Sequence, residues 1–426
     1  MTSNSRDTEA YVWVWLQDKT EPVVAGRLTA ANDQLVFNYG RSYLARDDAI
    51  PLYEPELPLN SGALPLLNNL SMPNCIRDAA PDAWGRRVII NRTMGGQERL
   101  ADTDSLDEIT YLLESGSDRI GALDFQTSAT EYVPREPETA SLEGLMQAAE
   151  NVEKGIPLPA ALDNALLHGS SIGGARPKAM LVSEDRKYIA KFSSQNDLYN
   201  VVKAEYVAMR LAAASGINAA TVQLRHTAGK DVLLIERFDR AKVETGWQRR
   251  LMVSALTMLE LEELMARYAS YEDLATIIRH RFANPRETLQ ELFARMTFNI
   301  LCGNTDDHAR NHAAFWNGQQ LELTPAYDIC PQARTGSEAS QAMLISGNNN
   351  LSRITLCLEA APSFLLSIDA AIEIVGGQLD TIVSQWDNVT AEASLTEVDR
   401  ERLWRRQFLN PYALEGAPQI LTERIK

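Results

Sequence analysis

The run Gly303-Asn304-Thr305-Asp306-Asp307-His308-Ala309-Arg310-Asn311, followed by Tyr327-Asp328-Ile329, carries the residue types best placed to do chemistry. An Asp, an Asn five positions on and a second Asp beyond a strand-turn-strand pattern can divide the labour of phosphoryl transfer. Asp306 would face an attacking hydroxyl, and Asn311 and Asp328 would offer oxygen ligands to magnesium on nucleotide phosphates. Singly, each has a plainer reading, Asp306 as a turn cap and Asp328 as the cap of the next element. The order of the set is what favours chemistry.

The flanking elements explain how the set could converge. Leu289, Leu292, Phe293, Met296, Ile300 and Leu301 recur at helical spacing and predict a helix with one apolar face, stopped by Gly303. Asn317-Gly318 between two short apolar runs predicts a hairpin. A hairpin returns the chain to its start and brings Asp328 near Asn311.

Three further motifs would serve a nucleotide. Gly169-Ser-Ser-Ile-Gly173-Gly174-Ala175-Arg176-Pro177-Lys178 has small residues that let backbone N–H groups approach phosphate, and basic residues that add charge. It is not a GxxxxGK[ST] loop, and alone it reads as a hairpin turn. Lys191, flanked by strand residues in Tyr188-Ile-Ala-Lys-Phe192, is placed like the strand lysine of kinases, with Glu205 in the helix Val202–Ala214 as its candidate partner. Lys178 competes with Lys191 for the phosphate role. Val232-Leu-Leu-Ile-Glu236-Arg237-Phe238-Asp239 runs a buried strand into polar residues, as an adenine-binding hinge would.

Along the chain, Tyr11–Leu16, Gly26–Thr29 and Gln34–Tyr39 predict short strands. Residues 74–93 and Ser105–Leu113 read as helices, and 134–160 as a connection rich in Glu, Ala and Pro. Met252–Met265 and Ala370–Gln407 also carry helical spacing. The expected fold class is α+β: a two-lobe, protein-kinase-like fold with a β-containing N-terminal half and a mostly α-helical C-terminal lobe. The expected divisions are a β-rich N-terminal subdomain (1–130), a small lobe with the Gly-rich loop and hinge (131–240), and a helical lobe with the catalytic loop (241–426).

Composition narrows the class. A net charge of −16 disfavours autonomous grip on phosphate backbones. Cys75, Cys302, Cys330 and Cys357 form no CxxC pair, so a zinc knuckle or disulfide framework is not expected and a reduced, cytoplasmic setting is. No secretory signal or membrane-length apolar run is read.

Taken in order, Ser-Ile-Gly-Gly-Ala-Arg-Pro-Lys, Ile-Glu-Arg-Phe-Asp-Arg, Asn-Thr-Asp-Asp-His-Ala-Arg-Asn and Thr-Pro-Ala-Tyr-Asp-Ile resemble the HipA family of bacterial toxin Ser/Thr kinases over nearly the whole chain. The resemblance implies ATP and Mg2+ as cofactors, Asp306 as catalytic base, and Asn311 and Asp328 as metal ligands. It implies that Gly173 to Lys178 and Lys191 hold the phosphates and Glu236, Arg237 and Phe238 meet adenine. His308, Ala309, Arg310, Asn311 and Tyr327 would complete the nucleotide pocket. Ser171 matches the family's autophosphorylated loop serine, with Ser170 beside it. A small helix-turn-helix, HipB-like antitoxin is the implied partner, with DNA reached only through it and no membrane involved. Family targets include aminoacyl-tRNA synthetases. Two departures stand out: the Arg of the eukaryotic His-Arg-Asp triplet is missing, and residues 341–356 hold one basic residue, Arg353. A small-molecule kinase of the same architecture, or an inactive kinase-like binding module or co-repressor, are the alternatives.

Overall fold

A computed structural model describes residues 8–68, 70–94, 106–135, 141–156, 158, 166, 176–183, 185–194, 197, 199–334 and 336–425. The chain divides into two compact units, each assembled from discontinuous stretches. Unit 1 takes residues 1–195, 225–253 and 315–319; unit 2 takes 196–224, 254–314 and 320–426.

Unit 1 begins with four strands, β1 (Glu9–Val14), β2 (Val23–Ala31), β3 (Gln34–Tyr39) and β4 (Leu123–Gln126), in the order β3-β2-β1-β4. All neighbours run antiparallel. Val12, Val14, Leu28, Phe37 and Phe125 are buried, the β-branched and aromatic types that fill a pleated face. Gly26 is required for close approach, since a Cβ there would lie 2.1 Å from the Asn38 carbonyl oxygen.

Among the described residues the longer helices in the chain between β3 and β4 are α1 (Ala83–Met94) and α2 (Glu108–Glu114). The sequence predicts one helix over 74–93; the structure has Asn74–Arg77 and then α1. The interruption falls where Pro81 lacks an amide hydrogen and the Asp82 carboxylate accepts from the Trp84 and Gly85 amides.

The predicted connection 134–160 contains a helix, α3 (Leu142–Glu153), capped by Ser141. Its buried face of Leu145, Met146, Ala149 and Val152 packs with Trp84 and Val88 of α1 on a second sheet. That sheet comprises β5 (Lys178–Val182), β6 (Lys187–Phe192), β7 (Val222–Thr227) and β8 (Lys230–Glu236), in the order β5-β6-β8-β7. A hairpin of β9 (Arg240–Val243) and β10 (Gly246–Arg249) follows.

In unit 2, α4 (Val201–Ala214) precedes α5 (Tyr271–Arg281) and α6 (Pro285–Cys302). The predicted helix over Met252–Met265 is instead a strand, β11 (Met252–Ser254), a four-residue helix and a 3-10 turn at Glu263–Tyr268. Ser254 caps the short helix through Thr257, and Glu260 with φ 55° ends it in the left-handed region.

Proline at the first turn and Gly303 after the last bound α6. Residues 295 to 302 are buried on every side, so the expected single apolar face is too narrow. Arg295, Thr297 and Asn299 within it are accommodated by bonds to Glu291, Gln378 and Asn304. The expected hairpin forms from β12 (Ala313–Trp316) and β13 (Leu321–Leu323), with Gly318 at φ 95° in its turn.

Helices α7 (Ile354–Ala360), α8 (Ile368–Glu392) and α9 (Glu397–Leu403) follow in unit 2, and short helical turns lie beyond them. The segment Ala370–Gln407, read as mostly helical, holds most of α8 and all of α9, separated by Ser394 at φ 48° with Thr396 capping the second. The fold class is α+β.

Candidate active site

The loop from Gly303 to His312 is fixed from both ends and from the side. Gly303 adopts φ 76°, and a Cβ there would sit 2.7 Å from the Gln407 carbonyl oxygen. The Asn304 side-chain amide donates to Asn299 Oδ1 at 3.0 Å and to the Asp328 carbonyl at 3.4 Å. The Gln332 amide donates to the Gly303 carbonyl at 3.0 Å, and the Tyr327 hydroxyl to the Arg310 carbonyl at 2.7 Å. These bonds hold the Tyr327–Gln332 segment against the loop, as the hairpin argument expects.

Asp306 and Asn311 are joined directly, since Asn311 Nδ2 donates to the Asp306 carbonyl at 3.2 Å. That bond orients the amide and leaves Oδ1 as the atom with ligand chemistry. Burial raises the Asp306 carboxyl above the ordinary carboxylate range. His308 opposes the rise, and the charges of Asp328 and Asp307 add to it. Asp328 has φ 58°, a left-handed conformation that Asp tolerates better than most residues.

Two carboxylates that repel, with an Asn carbonyl beside them, fit magnesium. The ion prefers oxygen, takes few protein ligands and relieves such repulsion. His308 precedes the short 3-10 turn Ala309–Asn311, Ala309 is buried, and Arg310 lies 3.6 Å from Glu263.

Sequence reasoning passed over the residues next door. Asp307, His312 and Tyr271 are all buried. His312 Nε2 lies 3.0 Å from Asp307 Oδ1 and 3.3 Å from the Tyr271 hydroxyl, which donates to Asp307 Oδ2. Burial works to raise the Asp307 carboxyl, but the nearby His312 and the hydrogen bonds from His312 and Tyr271 outweigh it and hold it low. The signal was present as the second Asp of Asp306-Asp307 and the His after Asn311.

In unit 1, Lys178 and Lys191 are cross-strand partners on β5 and β6. Lys178 is buried with an Asp82 carboxylate oxygen 4.0 Å from its Nζ, and its carbonyl accepts from Trp84 Nε1. Lys191 is half-buried. Arg176 and Pro177 lead into β5, whereas Ser170, Ser171, Gly173, Gly174 and Ala175 lie outside the described residues. Glu205, buried on α4, falls in unit 2, and Lys191 falls in unit 1.

Glu236 ends β8 and pairs with Arg186 at 2.7 Å. The Phe238 ring meets Phe315 edge-on at 6.0 Å. The Arg237 guanidinium is fully buried and bonded to Asp239, Asp118 and the Arg119 carbonyl, and its amide donates to the Lys187 carbonyl. Although burial opposes its charge, Asp239 and Asp118 raise its pKa. Arg240 joins both carboxylates, and Lys187 joins Asp118. Burial and the adjacent Arg237 push Arg240 down to about 10. Thus Arg237, Asp239 and Arg240, with Asp118 and Lys187, build a buried network that anchors the end of β8.

The comparisons with known proteins agree with this architecture. The HipA-like C-terminal domain model matches residues 170–386, about half of the chain, and the HipA N-terminal domain model matches 13–126. The chain therefore belongs to the HipA family.

It is 27% identical over 186 residues to the serine/threonine-protein kinase toxin HipA of Shewanella oneidensis, covering 37% of this chain and 42% of that protein. To the putative kinase Y4mE of Sinorhizobium fredii it is 27% identical over 174 residues, covering 37% and 41%. A putative kinase of Haemophilus influenzae is 26% identical over 180 residues, covering 38% and 52%. These alignments span about half or less of each relative. The fold matches a chain of the Shewanella oneidensis HipA, HipB and operator DNA complex with a TM-score of 0.66 at 20% identity, over 97% of this chain and 96% of that one. No helix among the described residues is long and apolar enough to cross a membrane.

Proposed function

We propose that the chain is an ATP-dependent serine/threonine-protein kinase and the toxin of a toxin–antitoxin pair. The observation that carries this is the polar cradle around Asp306. Asn304, Tyr327 and Asn311 hold the first Asp, the Asn and the second Asp of the expected catalytic set on one loop cluster.

Asp306 orients the acceptor hydroxyl and takes its proton. Burial raises its pKa, which favours proton acceptance, and the bonds made by Asn304, Asn311 and Tyr327 anchor its loop. Asn311 and Asp328 would hold magnesium, which supplies positive charge to the transferring phosphoryl group. Gly173 to Lys178 with Lys191 take the phosphates, and Glu205 is the candidate partner of the strand lysine. Glu236 and Phe238 meet adenine, with Arg237 fixing the segment through its network. His308, Ala309, Arg310 and Tyr327 close the nucleotide pocket.

The two-lobe division, with a β-rich subdomain at 1–130, a small lobe at 131–240 and a helical lobe at 241–426, belongs to the same reading. Phosphorylation of Ser171 or Ser170 would place about two negative charges beside the ATP phosphates and switch the enzyme off. The partner is a helix-turn-helix antitoxin, with operator DNA bound through it, and the target is a host protein of the aminoacyl-tRNA synthetase kind. A relative named as a HipA toxin kinase and a neighbour solved with HipB and operator DNA support this assignment. Four free, buried cysteines suit a cytoplasmic setting.

The test is the intact mass of purified protein after incubation with magnesium and ATP, beside Asp306→Gln. One added phosphate in the wild type alone, mapped to Ser170 or Ser171, is expected. No gain in protein that starts unphosphorylated and binds ATP would favour a small-molecule kinase or a binding module instead.

A further inference from the structure

The loop that carries Asp306 and Asn311 contains no regular element beyond the three-residue turn Ala309–Asn311. Its position must therefore come from polar anchors rather than from an apolar helix face. Two such anchors sit one residue beyond each working side chain: Asp307 follows Asp306, and His312 follows Asn311. Their side chains meet at 3.0 Å in a dry interior, with Asp307 and His312 each 2% exposed. Neighbouring Cα atoms are held about 3.8 Å apart by the trans peptide, so joining 307 to 312 also limits how far 306 can move from 311.

The pair is tied in turn to the rest of unit 2. The Tyr271 hydroxyl reaches both members from the first residue of α5, and its ring packs edge-on to His312 at 5.4 Å. The Tyr271 amide donates to the Leu344 carbonyl at 3.0 Å, and the His312 carbonyl accepts from the Ala255 amide at 2.7 Å. The His312 ring thus meets Asp307 and Tyr271, its backbone carbonyl meets the Ala255 amide, and Asp307, Tyr271 and Ala255 are all buried.

We propose that Asp307, His312 and Tyr271 form a staple across the base of the loop that positions Asp306 and Asn311 for phosphoryl transfer. They are positioning residues, and the proposal rests on the kinase reading of Asp306. A displacement of about 1 Å costs a reaction about a hundredfold, which sets the expected size of the effect.

The experiment compares full-length wild type, His312→Leu, His312→Gln, Tyr271→Phe and Asp306→Asn. The first readout is magnesium-dependent release or transfer of the ATP γ-phosphate. The second is Mn2+ affinity by electron paramagnetic resonance. His312→Leu keeps bulk but removes the bond to Asp307. It is expected to lower kcat about a hundredfold with KM for ATP within about threefold, and to weaken Mn2+ binding.

His312→Gln can donate from its own Nε2 and is expected to recover most of the loss. A purely structural role would lower thermal stability in both variants without splitting kcat from KM. Should His312→Leu not fold, Tyr271→Phe retains the ring and the Asp307–His312 contact, and a roughly tenfold loss of kcat is expected. A kcat within threefold of wild type in folded His312→Leu, or no recovery with Gln, overturns the staple. If wild type shows no more transfer than Asp306→Asn, the kinase reading fails instead. The Mn2+ readout then decides the staple alone, and equal affinity in wild type, His312→Leu and His312→Gln refutes it.

Discussion

Replacing Arg237 with Met separates an anchoring role from a nucleotide-contacting one. In the wild type the guanidinium donates to Asp239 at 2.9 and 2.7 Å, to Asp118 at 3.1 Å and to the Arg119 carbonyl at 2.6 Å. Removing one member of a buried ion pair costs about 3 to 5 kcal/mol because its partner stays buried and charged. Here each carboxylate keeps another cation. Asp239 retains Arg240 at 2.9 Å and the Gly121 amide at 2.8 Å, and Asp118 retains Arg240 and Lys187. The lower end, about 3 kcal/mol, is therefore expected, or a fall in Tm of roughly 6 to 12 °C for a unit of this size.

Calorimetry gives the Tm, and titration calorimetry at 10 °C gives ATP affinity in the folded protein, expected to stay within about threefold. A double-mutant cycle with Asp239→Asn should return a coupling of at least about 1 kcal/mol. A Tm within about 2 °C of wild type, combined with a tenfold or greater loss of ATP affinity, would refute the anchoring argument and return Arg237 to the nucleotide.

Three other outcomes follow from particular contacts. Asp306→Gln should leave Tm near the wild-type value and reduce phosphoryl transfer by at least about a thousandfold, measured with labelled ATP. Gly303→Ala should lower stability by more than about 2 kcal/mol in urea, because the left-handed backbone and the 2.7 Å approach to the Gln407 carbonyl both oppose a Cβ. Glu56 accepts bonds from the Asn74 and Cys75 amides, yet burial outweighs them and raises its pKa from 4.5 to about 7. The folded state therefore holds this proton more tightly than the unfolded state. Its contribution, about 3 kcal/mol at most, is full below pH 4.5 and is lost as pH rises through 7. Urea midpoints at pH 5 and 7.5 should draw together in Glu56→Gln; an unchanged difference would count against the assignment.

Much of the fold was legible because local signals were strong. β1 to β3, α4, the Gly303 stop and the Asn317-Gly318 turn all follow from residue types that force a conformation. α6 was placed correctly but read too narrowly, since Arg295 and Asn299 look solvent-facing until their long-range partners are known. Met252–Met265 failed for a different reason. Its apolar spacing fits a helix, but Ser254 as a cap and Glu260 in a left-handed turn cut it into shorter pieces, and neither residue compels that choice by type. The Asp306, Asn311 and Asp328 cluster was legible because a hairpin makes it local. Arg237 was harder to interpret, because the carboxylate at 118 that meets it is remote in sequence. Asp307 and His312 were in plain view inside the motif, but their role depends on Tyr271, 36 residues earlier than Asp307.

The interleaving of the two units also governs how the protein can be made. Unit 1 opens with the first residues of the chain but receives its last piece at 315–319, and unit 2 has begun by then at residue 196. A ribosome adding roughly 5 to 20 residues per second would take about 6 to 25 s to pass from residue 196 to residue 319. Throughout that interval the emerging chain has no finished unit, so the usual order of one domain completed before the next begins does not apply. Fragments ending before residue 316 would lack the Trp316 indole that donates to the Pro51 carbonyl at 2.8 Å. Competence would therefore arrive late in synthesis, almost all at once, and prematurely terminated products would be substrates for proteolysis rather than partly working proteins.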